Sequence, residues 1–345
     1  VLFRSSIMEF WSEETIENFR RTLLDWYDRE GRATLPWRVD HDPYRVMVSE
    51  IMLQQTQVDT VLPYYERFMQ ALPTVQDLAR APEAQVLKLW EGLGYYSRAR
   101  NLQKAARFVV DDLHGHWPES ADDLQVLPGV GPYTSAAIAS ISFGEVVPAV
   151  DGNAYRVFSR LLKIDADIAQ PKSRKIFYDA ILPIVDPDRP GDFNQAIMDL
   201  GSSYMTAKNP NSEDSPVRAF NAAYRDGVEM AYPVKTKKQK PVKQLYMATV
   251  SEKDGRLLFE KRPDTGLLSG FWTFPLEEIQ NIEQIVGEQL HIKPIVHVFT
   301  HRRWEIWLVK RDLPLTDNRQ YLTPDQWQHL SLPTVQHKLL NALEE

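Results

Sequence analysis

LPGVGPYTSAAIASISFGEVVPAVDGNAYR, residues 127–156, is the stretch on which the reading of this chain turns. Gly129 and Gly131, with Pro132 at a helix start, let the backbone turn sharply between two helices. Such a turn leaves bare N–H groups at a helix N-terminus, where orphan donors and the helix dipole favour an anionic phosphate. This is the layout of a helix-hairpin-helix, in which Leu127, Gly129 and Gly131 would meet one nucleic-acid backbone. LPGVG alone is equally compatible with an ordinary connection between two helices. What separates the two readings is a lone carboxylate, Asp151, which lies in a Gly/Asn turn ahead of the next helix.

The chain has 345 residues, 43% of them hydrophobic, enough for two globular domains. No apolar run is long enough to span a membrane. Residues 1–7 precede Met8 and lack the layout of a signal peptide, so they are set aside. The absence of cysteine excludes disulfides and thiolate-bound metal, and fits a cytoplasmic protein. A net charge of −7 runs against nucleic acid: residues 1–230 carry 24 Lys+Arg against 33 Asp+Glu, and the remainder 16 against 14. DNA binding therefore requires positive charge gathered on one face, for which Arg98, Arg100, Lys104, Arg156, Arg160 and the lysine run 235–243 are candidates.

Up to about residue 230 the pattern is helical, with stripes such as Phe19/Leu23/Trp26/Tyr27, a long helix from Pro43 through Thr56, and Phe193/Ala196/Ile197/Leu200/Tyr204. Residues 8–232 are expected to form an all-α domain. Residues 233–243, basic and proline-flanked without periodicity, read as a linker. Residues 244–345 read as α+β, with strands at Leu245–Val250, Leu257–Glu260, Val296–Phe299 and Trp304–Val309 and a helix over Ile279–Leu290.

Glu50 sits in an apolar run between Val46 and Leu53. Buried there, a carboxyl has its pKa raised and becomes a proton donor near neutrality. On the polar face of an amphipathic helix it would instead be an ordinary solvated glutamate. The surrounding string, Ser49-Glu50-Ile51-Met52-Leu53-Gln54-Gln55-Thr56, resembles the signature of the MutY family of adenine DNA glycosylases, within the helix-hairpin-helix superfamily. Leu35-Pro36-Trp37-Arg38, Trp90-Glu91-Gly92-Leu93-Gly94-Tyr95-Tyr96-Ser97-Arg98, Gly131-Pro132-Tyr133-Thr134 and Val150-Asp151-Gly152-Asn153 resemble the same family in order and spacing.

The resemblance implies a base-excision enzyme acting on double-stranded DNA that carries adenine opposite 8-oxoguanine or guanine, working as a monomer in the bacterial cytoplasm. It implies that Glu50 protonates the departing adenine and that Asp151 stabilises the positive sugar, with Tyr133 and Asn153 holding them. Arg38 and Leu53 would line the base pocket. Gln55, Thr56 and Tyr95 would meet the duplex where the base has been flipped out; one of Tyr95 and Tyr96 is expected to be a core aromatic. Related bifunctional glycosylases carry a lysine in the hairpin's second helix, where Tyr133 stands. No lysine lies between Lys104 and Lys163, so hydrolysis without efficient strand cleavage is expected.

Two departures from the family matter. Its four iron–sulfur cysteines would fall at Met205, Ser212, Ser215 and Asn221, so no cofactor is expected and a natural cluster-free branch is implied. The C-terminal part resembles a Nudix fold in its MutY role of reading 8-oxoguanine. The glutamate cluster expected after Gly270-Phe271-Trp272-Thr273-Phe274-Pro275 is missing, which argues against Mg²⁺ chelation. The recognition loop appears as Phe299-Thr300-His301. A thymine or oxidised-pyrimidine glycosylase and a catalytically dead DNA-binding protein are the competing readings.

Overall fold

A computed structural model describes residues 10–237 and 240–345. Residues 1–7, set aside above, and Lys238 of the linker's lysine run lie outside it. The described chain forms two compact units: residues 10–80 with 101–237, and residues 81–100 with 240–345. The segment 81–100 thus groups with the C-terminal unit. Among the described residues no helix is long and apolar enough to cross a membrane.

The helices in chain order are α1 (Glu13–Glu30), α2 (Pro43–Met52), α3 (Val58–Ala71), α4 (Val75–Arg80), α5 (Glu83–Trp90), α6 (Ser97–Arg107), α7 (Ala121–Leu124), α8 (Pro132–Phe143), α9 (Gly152–Leu162), α10 (Ser173–Ile181), α11 (Pro190–Ser203) and α12 (Ala222–Arg225). Many start where a short polar side chain meets an orphan amide: Ser12 caps α1, Asp42 caps α2 and Asp151 caps α9. The core of the first unit is a cluster of Phe19, Phe158, Phe177 and Phe193, all fully buried, with Leu23 and Leu161. Truncating any of these rings to Ala should cost about 3–5 kcal/mol.

Helix α8 is buried on almost every side, from Thr134 to Ile141. Its partner α11 approaches closely, because a Cβ on Gly191 would lie 2.7 Å from Ile141 Cα. Buried Asn194 ties the two together. Its amide donates to Ser140 Oγ and to the Val147 carbonyl, both at 2.9 Å, and its oxygen accepts from Ala149 N–H at 3.1 Å. This fastening fixes the strand-like lead into Val150 and Asp151.

In the second unit β1 (Val242–Val250) pairs in parallel with β8 (Arg302–Lys310), Val242 opposite Arg302, and antiparallel with β5 (Leu276–Ile279). The short strands β6 (Glu288–Gln289) and β7 (Ile295–Val298) both pair antiparallel with β8. A second sheet joins β2 (Glu252–Lys253), β3 (Arg256–Lys261), β4 (Trp272–Thr273) and β9 (Arg319–Leu322). Helices α13 (Pro324–Gln328) and α14 (Thr334–Leu343) follow. Val335 and Leu339 of α14 pack with Phe259, Phe274, Trp304 and Ile306.

Three expectations change here. Helix α2 stops at Met52, and Leu53–Thr56 form a turn in which Gln55 takes φ 60°. The helix expected over 279–290 does not form: Ile279 ends β5, Ile282–Gln284 make one 3-10 turn, and Glu288–Gln289 pair with β8. Gly287 explains why, since its φ of 104° breaks a helix and a Cβ there would sit 2.7 Å from the Lys310 carbonyl. The supposed linker is ordered where described. Val234 accepts from Ile168 N–H at 3.0 Å, Thr236 bonds to Asp167, and Val242–Lys243 belong to β1.

Candidate active site

A cavity of about 910 Å³ opens in the first unit, and Arg38, Glu50, Leu53, Gln55, Thr56, Tyr133, Asp151 and Asn153 all line it. Residues from four separate stretches, chosen from sequence, thus converge on one space.

Glu50 is delivered by α2, whose other faces bury Val46, Met47 and Ile51, and the residue is only 4% exposed. The solvated-glutamate reading therefore fails. Burial pushes its pKa up to about 7; the Tyr133 hydrogen bond and Arg38 oppose the rise, and Asp151 adds to it. Tyr133, in the first turn of α8, donates its O–H to Glu50 Oε2 at 2.5 Å and also lies 3.1 Å from Met198 Sδ. Tyr133 thereby fixes one carboxyl oxygen of Glu50.

Asp151 is held at both carboxyl oxygens. As the N-cap of α9 its Oδ1 accepts from Ala154 N–H at 2.8 Å, while Oδ2 accepts from the Asn153 amide at 3.2 Å. Burial raises its pKa, and these two donors with nearby Arg156 act against the rise. Asn153 is in turn held by Arg156, which donates to Asn153 Oδ1 and the Gly201 carbonyl at 2.8 Å and to the Met205 carbonyl at 2.7 Å. Gly201 has no side chain because Asn153 occupies the place: a Cβ would lie 2.6 Å from Asn153 Oδ1.

Arg156 and Arg160, expected from sequence in a phosphate-facing patch, instead turn to backbone carbonyls. Arg160 is 1% exposed and spends its guanidinium on the Thr206 and Tyr232 carbonyls at 2.7 and 3.1 Å. Both arginines brace backbone inside the unit. Arg38 does reach the cavity wall, but in a bidentate pair with Asp199 at 2.8 and 2.9 Å, to which Arg32 adds its backbone N–H and Nε. Sequence reasoning missed Asp199. Its signal was of the same kind as that of Glu50: an acid between Met198 and Leu200 in an apolar helical run.

The hairpin forms as α7, a turn and α8. Gly129 needs its left-handed φ of 75°, and a Cβ there would meet Asn101 Cβ at 2.6 Å. Gly131 is different: its φ of −90° suits any residue, and nothing stands within 4 Å of a Cβ. It is an exposed N-cap without a side-chain cap, which leaves the N-terminus of α8 open to an anion. Leu127 is 2% exposed, so its side chain packs in the core and only its backbone belongs to the turn surface.

Tyr95, Phe299, Thr300 and His301 do not line this cavity. They line another, of about 420 Å³, within the second unit. Tyr95 is 47% exposed at φ 51°, whereas Tyr96 is buried. Phe299 stacks edge-on against Trp304 with centroids 4.7 Å apart, and its N–H closes a tight turn onto Arg302 O at 2.7 Å, which leaves Thr300 and His301 exposed at the tip.

The loop 205–221 does not fit an iron–sulfur cluster. All four positions are buried and none is a thiolate. Met205 joins the hydrophobic core, Ser212 bonds Glu229 at 2.5 Å, Ser215 accepts from Val217 N–H at 3.3 Å, and Asn221 caps α12. Packing and hydrogen bonds close the loop.

Residues 48–181 match the model of the HhH-GPD superfamily of base excision DNA repair proteins, and residues 246–342 that of a NUDIX domain. The adenine DNA glycosylase of Rattus norvegicus is 36% identical, over 95% of this chain and 78% of its own length. That of Homo sapiens is 34% identical, over 99% and 76%. That of Buchnera aphidicola subsp. Baizongia pistaciae is 31% identical, over 95% and 97%. Among solved structures, a thermostable thymine-DNA glycosylase aligns with a TM-score of 0.55 at 26% identity, over 62% of this chain and 98% of its own. A non-covalent endonuclease III–DNA complex aligns at 0.51 and 21% identity, over 61% and 97%, a likeness of fold.

Proposed function

This chain belongs to the HhH-GPD superfamily and, within it, to the adenine DNA glycosylases, so it is a base-excision enzyme that acts on adenine in DNA; from that premise we propose that it hydrolyses adenine paired with 8-oxoguanine or guanine, with Glu50 as the general acid and Asp151 as the anion beside the sugar. The observation that carries this reading is the Glu50 carboxyl, buried, poised near neutrality and clamped by Tyr133 in a cavity that Asp151 also lines.

The target adenine must leave the stack to reach such a cavity. Glu50 then passes its proton to a ring nitrogen of the base as the N-glycosidic bond breaks, and the bonding electrons leave with the base. The sugar becomes oxocarbenium-like, and Asp151 lowers the energy of that charge, as paired carboxyls do in glycoside hydrolysis. Water adds to the anomeric carbon and its proton returns to Glu50, leaving free adenine and an abasic site. Arg38, locked by Asp199, gives the pocket a fixed donor edge. Gln55 fills the vacated space from the Leu53–Thr56 turn.

The lining supports release by hydrolysis rather than through a Schiff base. Among the described residues of the cavity wall there is no lysine, and Tyr133 offers a phenol that Glu50 already engages. Borohydride added during turnover should therefore trap no stoichiometric protein–DNA adduct; efficient trapping contradicts the assignment. The enzyme also works without an iron–sulfur cluster, so active protein should be colourless, with iron well below one atom per chain. A brown preparation that loses activity with its iron would refute this.

Phe299, Thr300 and His301 read the base opposite the adenine. The lesion differs from guanine by an added carbonyl oxygen and by a hydrogen on N7, which turns an acceptor into a donor. The Thr300 hydroxyl, exposed at the turn tip, can accept from that hydrogen. One such bond contributes about 0.5–1.5 kcal/mol, so Thr300→Ala should narrow the preference for 8-oxoguanine over guanine roughly two- to ten-fold. Single-turnover excision from both duplexes tests function and preference together: excision of adenine opposite neither base would overturn the reading.

A further inference from the structure

The segment 81–100 is fastened to the C-terminal unit by several independent ties. Tyr96 is buried, its ring centroid 4.2 Å from that of Phe271, and its hydroxyl accepts from Thr334 N–H at 3.1 Å at the start of α14. Arg100 lies over the Phe271 ring at 5.3 Å and donates to the Ser269 carbonyl. Glu91 bridges His337 and Lys88, each at 2.6 Å, and Lys88 donates to the Gln328 carbonyl at 2.6 Å. Between these ties stands Tyr95, exposed and held in a left-handed conformation that is unfavourable for a non-glycine residue. Gly92 and Gly94, at φ 100° and 74°, precede it, and a conformation of this kind persists only when its surroundings over-determine it. Tyr95 faces the same cavity as Phe299–Arg302.

We infer that Tyr96, seated on Phe271 and Thr334, is a positioning residue for Tyr95: the unit that reads the opposite base also sets the aromatic wedge that holds the duplex open. This rests on the proposed role of Tyr95 at the flipped site. Wedge and reading loop then belong to one rigid piece, and the C-terminal unit contributes to base flipping even opposite plain guanine. Tyr96 touches no reacting atom and acts through its neighbour.

The test uses full-length protein carrying Glu50→Gln, so that bound duplex persists, with 2-aminopurine at the target position opposite guanine and opposite 8-oxoguanine. Fluorescence reports unstacking, and anisotropy reports duplex affinity separately. Tyr96→Phe keeps the ring and removes the hydroxyl bond; Phe271→Leu removes the aromatic seat; Tyr95→Ala removes the wedge. Losing one hydrogen bond of ordinary strength should lower the flipped fraction about three- to ten-fold in Tyr96→Phe opposite both bases, with affinity changed less than about two-fold. Phe271→Leu should act in the same direction, and its unfolding midpoint shows whether the unit stays folded. Tyr96→Phe, the milder change, keeps the test decisive if it does not. If Tyr95→Ala leaves flipping intact, the role given to Tyr95 is wrong. If Tyr95→Ala abolishes flipping while Tyr96→Phe flips normally, the wedge stands and the positioning inference falls. A loss confined to the 8-oxoguanine duplex also overturns it, since that would make Tyr96 part of lesion reading alone.

Discussion

Glu50→Gln is expected to stop adenine excision, lowering the single-turnover rate by about 10²–10⁴, while the protein still binds duplex. The amide keeps the shape and can accept the Tyr133 hydroxyl, but it has no proton to give the leaving base. The same substitution should stabilise the protein. Burial has moved the Glu50 carboxyl from the usual 4.5 up to about 7. A raised folded-state pKa means that stability is fully present below the unfolded value and is lost as pH rises through the folded one. Wild type therefore pays for an ionised, buried Glu50 at pH 8, a cost of roughly 3 kcal/mol at most. Glu50→Gln should gain on wild type in denaturant melts at pH 8 and show little advantage at pH 4. A rate within ten-fold of wild type, or no pH-dependent gain in stability, would contradict the assignment.

Asp151→Asn should have a comparable effect on rate, about 10²–10³, for a different reason. The carboxylate is the anion assigned to the sugar, and an amide carries no charge. The substitution is informative because the cap survives: Asn caps helices as well as Asp, so α9 keeps its bond from Ala154. Asp151→Ala removes both functions and should lose about a further 1 kcal/mol of stability. If Asp151→Asn melts like wild type and excises adenine at near-normal rates, the anion lies elsewhere.

How much of this was legible in the chain depended on whether a residue's partners lay nearby in sequence. The hairpin, Glu50 and Asp151 are local signals: a glycine turn, an acid in an apolar run, an acid at a helix cap. The fates of Arg156 and Arg160 were not legible, because their carbonyl partners at Gly201, Met205, Thr206 and Tyr232 are some forty to seventy residues away. A charge count treats every arginine as available to DNA. Asp199 carries the same local signal as Glu50, but its pairing was not legible, its partners Arg32 and Arg38 being 167 and 161 residues distant. The helix expected at 279–290 failed because Gly287 and pairing with β8 outweighed a weak apolar periodicity. The motif Trp90–Arg98 was legible as a motif but not as part of the C-terminal unit, since Phe271 and Thr334 lie far along the chain.

The most direct test of the chemistry is the single-turnover rate of adenine excision opposite 8-oxoguanine by the unmodified protein, from about pH 5 to pH 9. Glu50 acts as an acid only while protonated, so the rate should fall as pH rises through about 7. Glu50→Gln, which has no such proton at any pH, should show no corresponding limb. A wild-type rate that stays level from pH 6 to pH 9, with chemistry confirmed as the slow step, would mean that Glu50 is not the proton donor.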